Sequence, residues 1–240
     1  PEWADMKRFY KLAGTLLADS GAGFRVVLDD KPIRTPAKNL LHVPSERLAQ
    51  CIAGEWNAQK DEVDTAEMRL TRLANTAIDR VAEVREQVIG EIAGYARTDL
   101  VCYRADQPVD LVRRQAEAWE PLIKWIGQEH GIKLDVTTGL LPIDQSADCL
   151  AAVEAVVSGF TDFGLAGLHM VTTAIGSVVI GLAVAEQYLD GKEAWERSLV
   201  DELFQIEQWG DDQETQVRHK NLAADIDAAA EFLKLVKATP

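Results

Sequence analysis

Cysteine is scarce in this chain of 240 residues: Cys51, Cys102 and Cys149 are all there is. An odd number, widely spaced and without a CxxC, argues against a disulfide framework. It suits a reducing compartment, with buried structural thiols. Histidine is sparse too. His42, His130, His169 and His219 form neither HxxxH nor HExxH, so a zinc site has no local support and no metal is expected. His169 falls in an apolar stretch, where a hydrogen-bonded core histidine is the expected role. There is no Walker A pattern and no GxSxG elbow. Gly21-Ala22-Gly23 fails as a dinucleotide fingerprint, because Val26 occupies the third glycine position and the following residues read as a strand. A plain turn at 20–23 is expected. Positive charge is also short. With 25 Lys and Arg against 39 Asp and Glu, the net charge is -14. A phosphate backbone needs a basic face, so nucleic acid is excluded as a partner, as is an anionic membrane surface. The balance favours solubility and a partner with a basic surface. No signal peptide or Arg-rich presequence is visible.

One run lacks Asp, Glu, Lys and Arg altogether. Residues 163–185 are long enough to span a bilayer. Four glycines, several hydroxyl residues and His169 dilute their hydropathy, and the flanks, Asp162 and Glu186, are acidic with no cationic anchor. The reading is a helix buried at the centre of a helical bundle and not a membrane insertion. Ser177, Gly181 and Ala185 recur every fourth residue and would let a neighbouring helix approach closely.

What is present separates into two regimes. The first third reads as short strands: apolar and polar residues mix over 8–17, 24–28 is an apolar strand, Asp29-Asp30-Lys31-Pro32 is a turn, 33–35 is the return, and 40–43 follows. Ser45 is placed to cap a helix whose Leu48, Ile52 and Trp56 step by four. Beyond this the pattern is helical. Leu70, Leu73, Ala77, Val81, Val84 and Val88 form one stripe. Leu111, Gln115, Trp119, Leu122 and Ile126 form another, with Pro121 a kink or restart. Leu134 opens a brief extended segment to Thr138. Helices are expected over 146–160, 163–189, 192–209 and 212–236. The class is α+β: a small antiparallel β-rich N-terminal domain over 1–85, with a helix, then an α-helical bundle domain over 86–240.

Two clusters are candidates for contact. Arg69, Arg72 and Arg80 lie near Asp79, Glu83 and Glu86, close enough for intrahelical pairing. This is a structural network between the domains or a partner surface. In the helix expected over 192–209, Trp195, Leu199, Leu203 and Ile206 make an apolar stripe. At about 100° per residue, Glu202 lies on its rim, roughly 60° from Leu199, and Trp209 falls near the Glu202 azimuth, while Asp201 points nearly opposite. Glu202 is either a rim carboxylate paired with an arginine of the same chain or a charged anchor for a partner's basic group.

Several runs together resemble a known family: DKPIRTPAK at 30–38, Glu55-Trp56 with Ala58-Gln59, LTRLANTAIDRV at 70–81, YARTDLVCYRA at 95–105, WEPL at 119–122, and DELFQ at 201–205 with Trp209-Gly210. The two long central runs are highly specific, and the match runs in order over nearly the whole chain. It is similar to the chaperones that bind the alpha subunit of the F-type ATP synthase catalytic head. Lys31 and Arg34 stand where Arg and Lys are usual, and both swaps keep the charge. The resemblance implies a small β-rich domain before a helical one. It implies binding of free alpha subunits, which prevents their aggregation until a beta subunit takes over. No nucleotide hydrolysis, cofactor, metal or small-molecule substrate is implied. The family's acidic position in the late helix matches Glu202, with Asp201 before it and Trp209 after. The family occurs in mitochondria and related bacteria, and the low pI with no visible presequence points to a bacterial cytoplasm, or to the mitochondrial matrix for a eukaryotic source. The competing reading is an enzyme whose site is assembled from sequence-distant residues, which a deep pocket with convergent polar groups would favour.

Overall fold

The computed structural model describes residues 6–18, 23–139 and 143–237. The expected turn at 20–23 lies outside them except for Gly23, whose φ of 86° is one that glycine adopts without strain. The chain forms two compact units. One comprises Pro1–Arg85, Thr161–Gly167 and Glu231–Pro240, and the other Glu86–Phe160 and Leu168–Ala230. The class is α+β, a small antiparallel sheet near the N-terminus followed by helices.

In the first unit, β1 (Met6–Lys7) pairs with β6 (Glu62–Val63). The main sheet is built on β3 (Phe24–Leu28). On one side lies β2 (Ala13–Leu17). On the other lie β4 (Lys31–Pro32) and β5 (His42–Val43), all antiparallel. The return strand thus starts at Lys31, earlier than the expected 33–35, because Asp29 and Asp30 take positive φ and complete the reversal in two residues. Helix α1 (Glu46–Ala58) is capped by the Ser45 hydroxyl, which accepts from the Leu48 N–H, and buries Leu48, Ile52 and Trp56 as its spacing requires. Met68 cannot cap α2 (Arg69–Thr76). Glu55 reaches over from α1 instead and accepts from the Leu70 and Thr71 N–H groups at 2.7 and 2.8 Å and from the Thr71 hydroxyl at 2.6 Å.

The long stripe from Leu70 is not one helix. α2 widens into a π-helical turn at Ala77–Val81, and α3 (Arg85–Gly94) starts afresh. Asp79 does not serve an arginine. It accepts from the Thr35 hydroxyl at 2.5 Å, the Ala37 N–H at 2.9 Å and the Asn39 amide at 3.0 Å. Burial alone would raise its pKa, but these three bonds outweigh it and the carboxyl sits below its usual range.

The second unit holds most of the helical chain. β7 (Tyr103–Arg104) and β8 (Thr137–Thr138) make a short parallel pair that includes the end of the expected extended segment. α4 (Val109–His130) runs through Pro121 unbroken and buries Gln115, Trp119, Leu122 and Ile126. α5 spans Ala147–Ser158.

The uncharged run is not the single helix expected over 163–189. It is α6 (Asp162–Ile175) and α7 (Val178–Ala185), broken where Gly176 takes φ 79° and the Ser177 hydroxyl caps α7 through the Ile180 N–H. Every residue of α7 is buried, whereas α6 leaves one side open: His169 is half-exposed and lies 3.2 Å from Glu91, so it is no core histidine. No helix among the described residues is long and apolar enough to cross a membrane. The small-residue spacing has its reason at Gly181, where a Cβ would stand 2.4 Å from the Thr172 hydroxyl.

The helix expected over 192–209 is also two, α8 (Gly191–Ser198) and α9 (Val200–Trp209), separated at Leu199. α10 (Gln213–Lys237) closes the described chain and supplies residues to both units. Cys102 and Cys149 are buried, Cys51 is half-buried, and all three are free. Burial raises each thiol pKa, that of Cys102 to about 12, which disfavours the reactive thiolate.

Candidate functional site

The break at Leu199 re-phases the residues that follow it. With α8 and α9 as separate helices, Phe204 turns inward, and Leu203 and Ile206 are only half-buried. The stripe inferred for a continuous helix therefore does not describe α9. Polar contacts to α4 hold the end of α8 and then α9. The Trp119 indole donates to the Arg197 carbonyl at 2.8 Å, and Arg197 donates to the Ala118 carbonyl at 2.6 Å. Arg114 grips Glu207 with two bonds, 2.8 and 2.7 Å, while its guanidinium lies over the Phe204 ring. That grip holds Glu207 below the usual carboxylate range.

Each expected contact residue has a distinct setting. Asp201 accepts from the Gln115 amide at 2.6 Å and is half-buried, so its carboxylate is already engaged. Glu202 is paired within the chain, with Arg218, and one of its oxygens lies 3.2 Å from His219 Nε2. His219 is buried and meets Trp195 edge to face. Of the two readings of Glu202, the intrachain pair is the one the geometry contains, yet its side chain remains 30% exposed beside an Arg218 that is more exposed still. Trp209 stands apart from both carboxylates in character. It is 80% exposed at the last turn of α9, just before Gly210 at φ 88°. Asp211 and Asp212 follow, and Asp212 caps α10 through the Thr215 N–H at 2.8 Å. Val217, on the first turns of α10, is exposed as well.

The arrangement is a surface and not a reaction centre. An exposed indole sits on a chain segment carrying Asp201, Glu202, Glu207, Asp211, Asp212 and Glu214. Charge is distributed to match: residues 1–85 hold 13 basic and 13 acidic side chains, residues 86–240 hold 12 and 26, so the whole excess of 14 lies in the later part. Among the described residues no group of His, Cys, Asp and Glu is arranged to hold a metal ion.

A cleft of about 580 Å³ in the first unit is lined by Glu55, Lys60, Glu62, Asp64 and Glu67 among others. Burial raises the pKa of Glu55, as it would for a general base, but both of its oxygens are committed to the start of α2.

Spacing in the sequence did not reveal the commitments of Asp79 or Glu55, nor that of Asp99, whose carboxylate accepts from the Ser177 hydroxyl and the Val101 and Val179 N–H groups. Each sits in one of the runs that carry the resemblance: Asp79 and Glu55 each bond residues of a second run, and Asp99 caps the short helix after it.

Residues 7–127 match the family model described as ATP12 chaperone protein. The crystal structure of Atp12 from Paracoccus denitrificans is similar with a TM-score of 0.91 at 39% identity, covering 98% of this chain and 100% of that one. A mutant of P. denitrificans Atp12p gives a TM-score of 0.91 at 38% identity, over 98% and 99%. The Atu1473 protein from Agrobacterium tumefaciens gives 0.91 at 38% identity, over 96% and 86%.

Proposed function

The chain belongs to the ATP12 chaperone family, which makes it an ATP synthase assembly chaperone and not an enzyme, and from that premise we propose that its client is the free alpha subunit of the catalytic head. In this reading the chaperone covers a surface of the alpha subunit that would otherwise aggregate, and gives way when a beta subunit arrives. The observation that carries the reading is Trp209, 80% exposed on an acidic segment. Tryptophan is enriched among the anchors that carry protein contacts. The acidic excess of residues 86–240 favours a client face that is basic around an apolar pocket.

Glu202, Asp201 and Trp209 are the residues proposed to contact the client. Glu202 would do so by exchanging Arg218 for a basic group of the alpha subunit. The bacterial relatives support placing the protein in a bacterial cytoplasm.

The test is light scattering of purified alpha subunit at aggregating temperature, without nucleotide. Stoichiometric chaperone should suppress the scattering, and Trp209→Ala should suppress it less with an unchanged melting temperature. Equal aggregation with and without the wild-type protein would rule out the client.

A further inference from the structure

Among the described residues the main sheet of the first unit ends on one side in β2, whose only strand partner there is β3. Its register fixes which backbone groups face outward. The Asp29 N–H donates to the Leu12 carbonyl at 2.9 Å and the Ala18 N–H to the Gly23 carbonyl at 3.0 Å, so residues 12, 14, 16 and 18 point their polar groups at β3. Residues 13, 15 and 17 point theirs away. At Ala13 the Asn57 side chain takes the place of a neighbouring strand: its oxygen accepts from the Ala13 N–H at 2.8 Å and its amide donates to the Ala13 carbonyl at 2.9 Å. Among the described residues, no hydrogen bond reaches the outward groups of Thr15 and Leu17.

An edge of this kind is normally blunted by lysine, proline or a bulge. β2 reads Ala-Gly-Thr-Leu-Leu and has none of them. Leu16 and Leu17, on opposite faces of the strand, are 48% and 59% exposed, and Leu12 and Phe9 just before it are more exposed again. Gly14 adds a separate sign. A Cβ there would meet nothing closer than Val27 at 3.7 Å, so the chain's own packing does not require glycine. Its lack of a side chain leaves a gap between Leu12 and Leu16 on one face, into which a residue of an added strand fits.

Resting on the proposed client, we infer that the outer edge of β2 takes an extended, uncharged apolar segment of the alpha subunit as an added strand, bonded to the N–H and C=O of Thr15 and Leu17. Only an extended backbone satisfies donors and acceptors two residues apart. Charge does not select the segment, because residues 1–85 are electrically neutral. Nor is a second copy of this chain the occupant. Five residues of strand cover about 17 Å of edge, and such a contact falls well short of the roughly 1,000 Å² a stable dimer needs. A segment of a client already engaged elsewhere on the chaperone needs no such area, since its effective concentration supplies the binding.

The experiment is hydrogen exchange on the full chain with and without purified alpha subunit, read at single amides, together with the Thr15→Pro variant. Proline at 15 removes an outward N–H and leaves the β2–β3 ladder intact. Expected are slowed exchange at Thr15 and Leu17, unchanged exchange at Gly14 and Leu16, and about tenfold weaker alpha-subunit binding by Thr15→Pro. Should that variant fold poorly, the wild-type amides still decide. Wild-type binding with Thr15 and Leu17 exchanging as in the free protein overturns the inference and leaves the client standing. Protection that grows with chaperone concentration in the absence of alpha subunit assigns the edge to self-pairing and overturns it too. No binding of alpha subunit at all removes the client, and the added strand with it.

Discussion

The Asp99 carboxylate accepts a 2.6 Å hydrogen bond from the Ser177 hydroxyl, 78 residues further along the chain. Its other oxygen accepts from the Val179 N–H, and the first also from the Val101 N–H, so one side chain caps the start of the short helix that follows it and anchors the start of α7. Burial raises its pKa to about 6 against these bonds, which lower it. Because the folded pKa lies above the unfolded value, the folded state holds its proton more tightly. The contribution of Asp99 to stability is then complete below about pH 4 and is lost as pH rises through about 6, a change on the order of 3 kcal/mol. Glu55, also raised, acts in the same direction, whereas Asp79 and Asp212, both lowered, act below this window.

Asp99→Asn removes that titration. Urea unfolding at pH 4.5 and pH 7 should show a smaller loss of stability between the two for the variant than for the wild type. The variant should be the less stable protein at the acidic end, where it lacks the acid's hydroxyl and keeps an amide facing N–H donors. An identical pH dependence in both proteins would mean that Asp99 titrates normally.

Two glycine-to-alanine changes in helices should have opposite signs. In α7 a Cβ on Gly181 would stand 2.4 Å from the Thr172 hydroxyl and 3.2 Å from a Leu168 methyl. Gly181→Ala should destabilise by about 1–3 kcal/mol, and Gly181→Asp, which adds a buried charge, by more. In α3 Gly90 is exposed and a Cβ would meet nothing within 4 Å. Gly90→Ala should stabilise by about 0.5–1 kcal/mol through helix propensity. Chemical denaturation of the three variants checks both signs.

These contacts explain what could be read from the sequence and what could not. The class, the capped helix at Ser45 and the buried α7 follow from local patterns: a polar cap before an apolar period, and an uncharged run between acids. Breaks at Gly176 and Leu199 left no comparable mark. Apolar spacing continues across both, and what stops the helices is a left-handed glycine in one case and the tertiary clamp of Arg197 on α4 in the other. Asp79 read as a helix-surface charge because its three partners lie 40 to 44 residues away, and the arginine that pairs with Glu202 could not be named because Arg218 sits on another helix.

The loop at 35–39 offers a compact test of that long-range role. Asp79→Ala leaves the Thr35 hydroxyl, the Ala37 N–H and the Asn39 amide without their shared acceptor. Stability should fall by about 1–2 kcal/mol, and amide exchange should quicken at residues 35–39. Unchanged exchange there would show that Thr35 and its neighbours hold the turn unaided, through the Thr35 to Asn39 backbone bond.

Glu202 requires a design that separates fold from contact, because it is both paired and partly exposed. Its ion pair with Arg218 is open to solvent on both sides and is worth about 0–1 kcal/mol. Glu202→Lys should therefore lower the melting temperature by only about 2–4 °C in a chain of this size. Placing a like charge beside Arg218 sets that small cost. If the client reads a negative charge at this position, the same variant should weaken binding of purified alpha subunit by about tenfold or more, far beyond the fraction unfolded. The double variant Glu202→Arg with Arg218→Glu distinguishes the two roles. It restores an ion pair of the same geometry with the signs exchanged. A recovered melting temperature with binding still lost assigns the charge at 202 to the client. Recovery of both together would mean that the pair itself, by fixing α10 against α9, is what the surface needs, and that Trp209 contacts the client without Glu202.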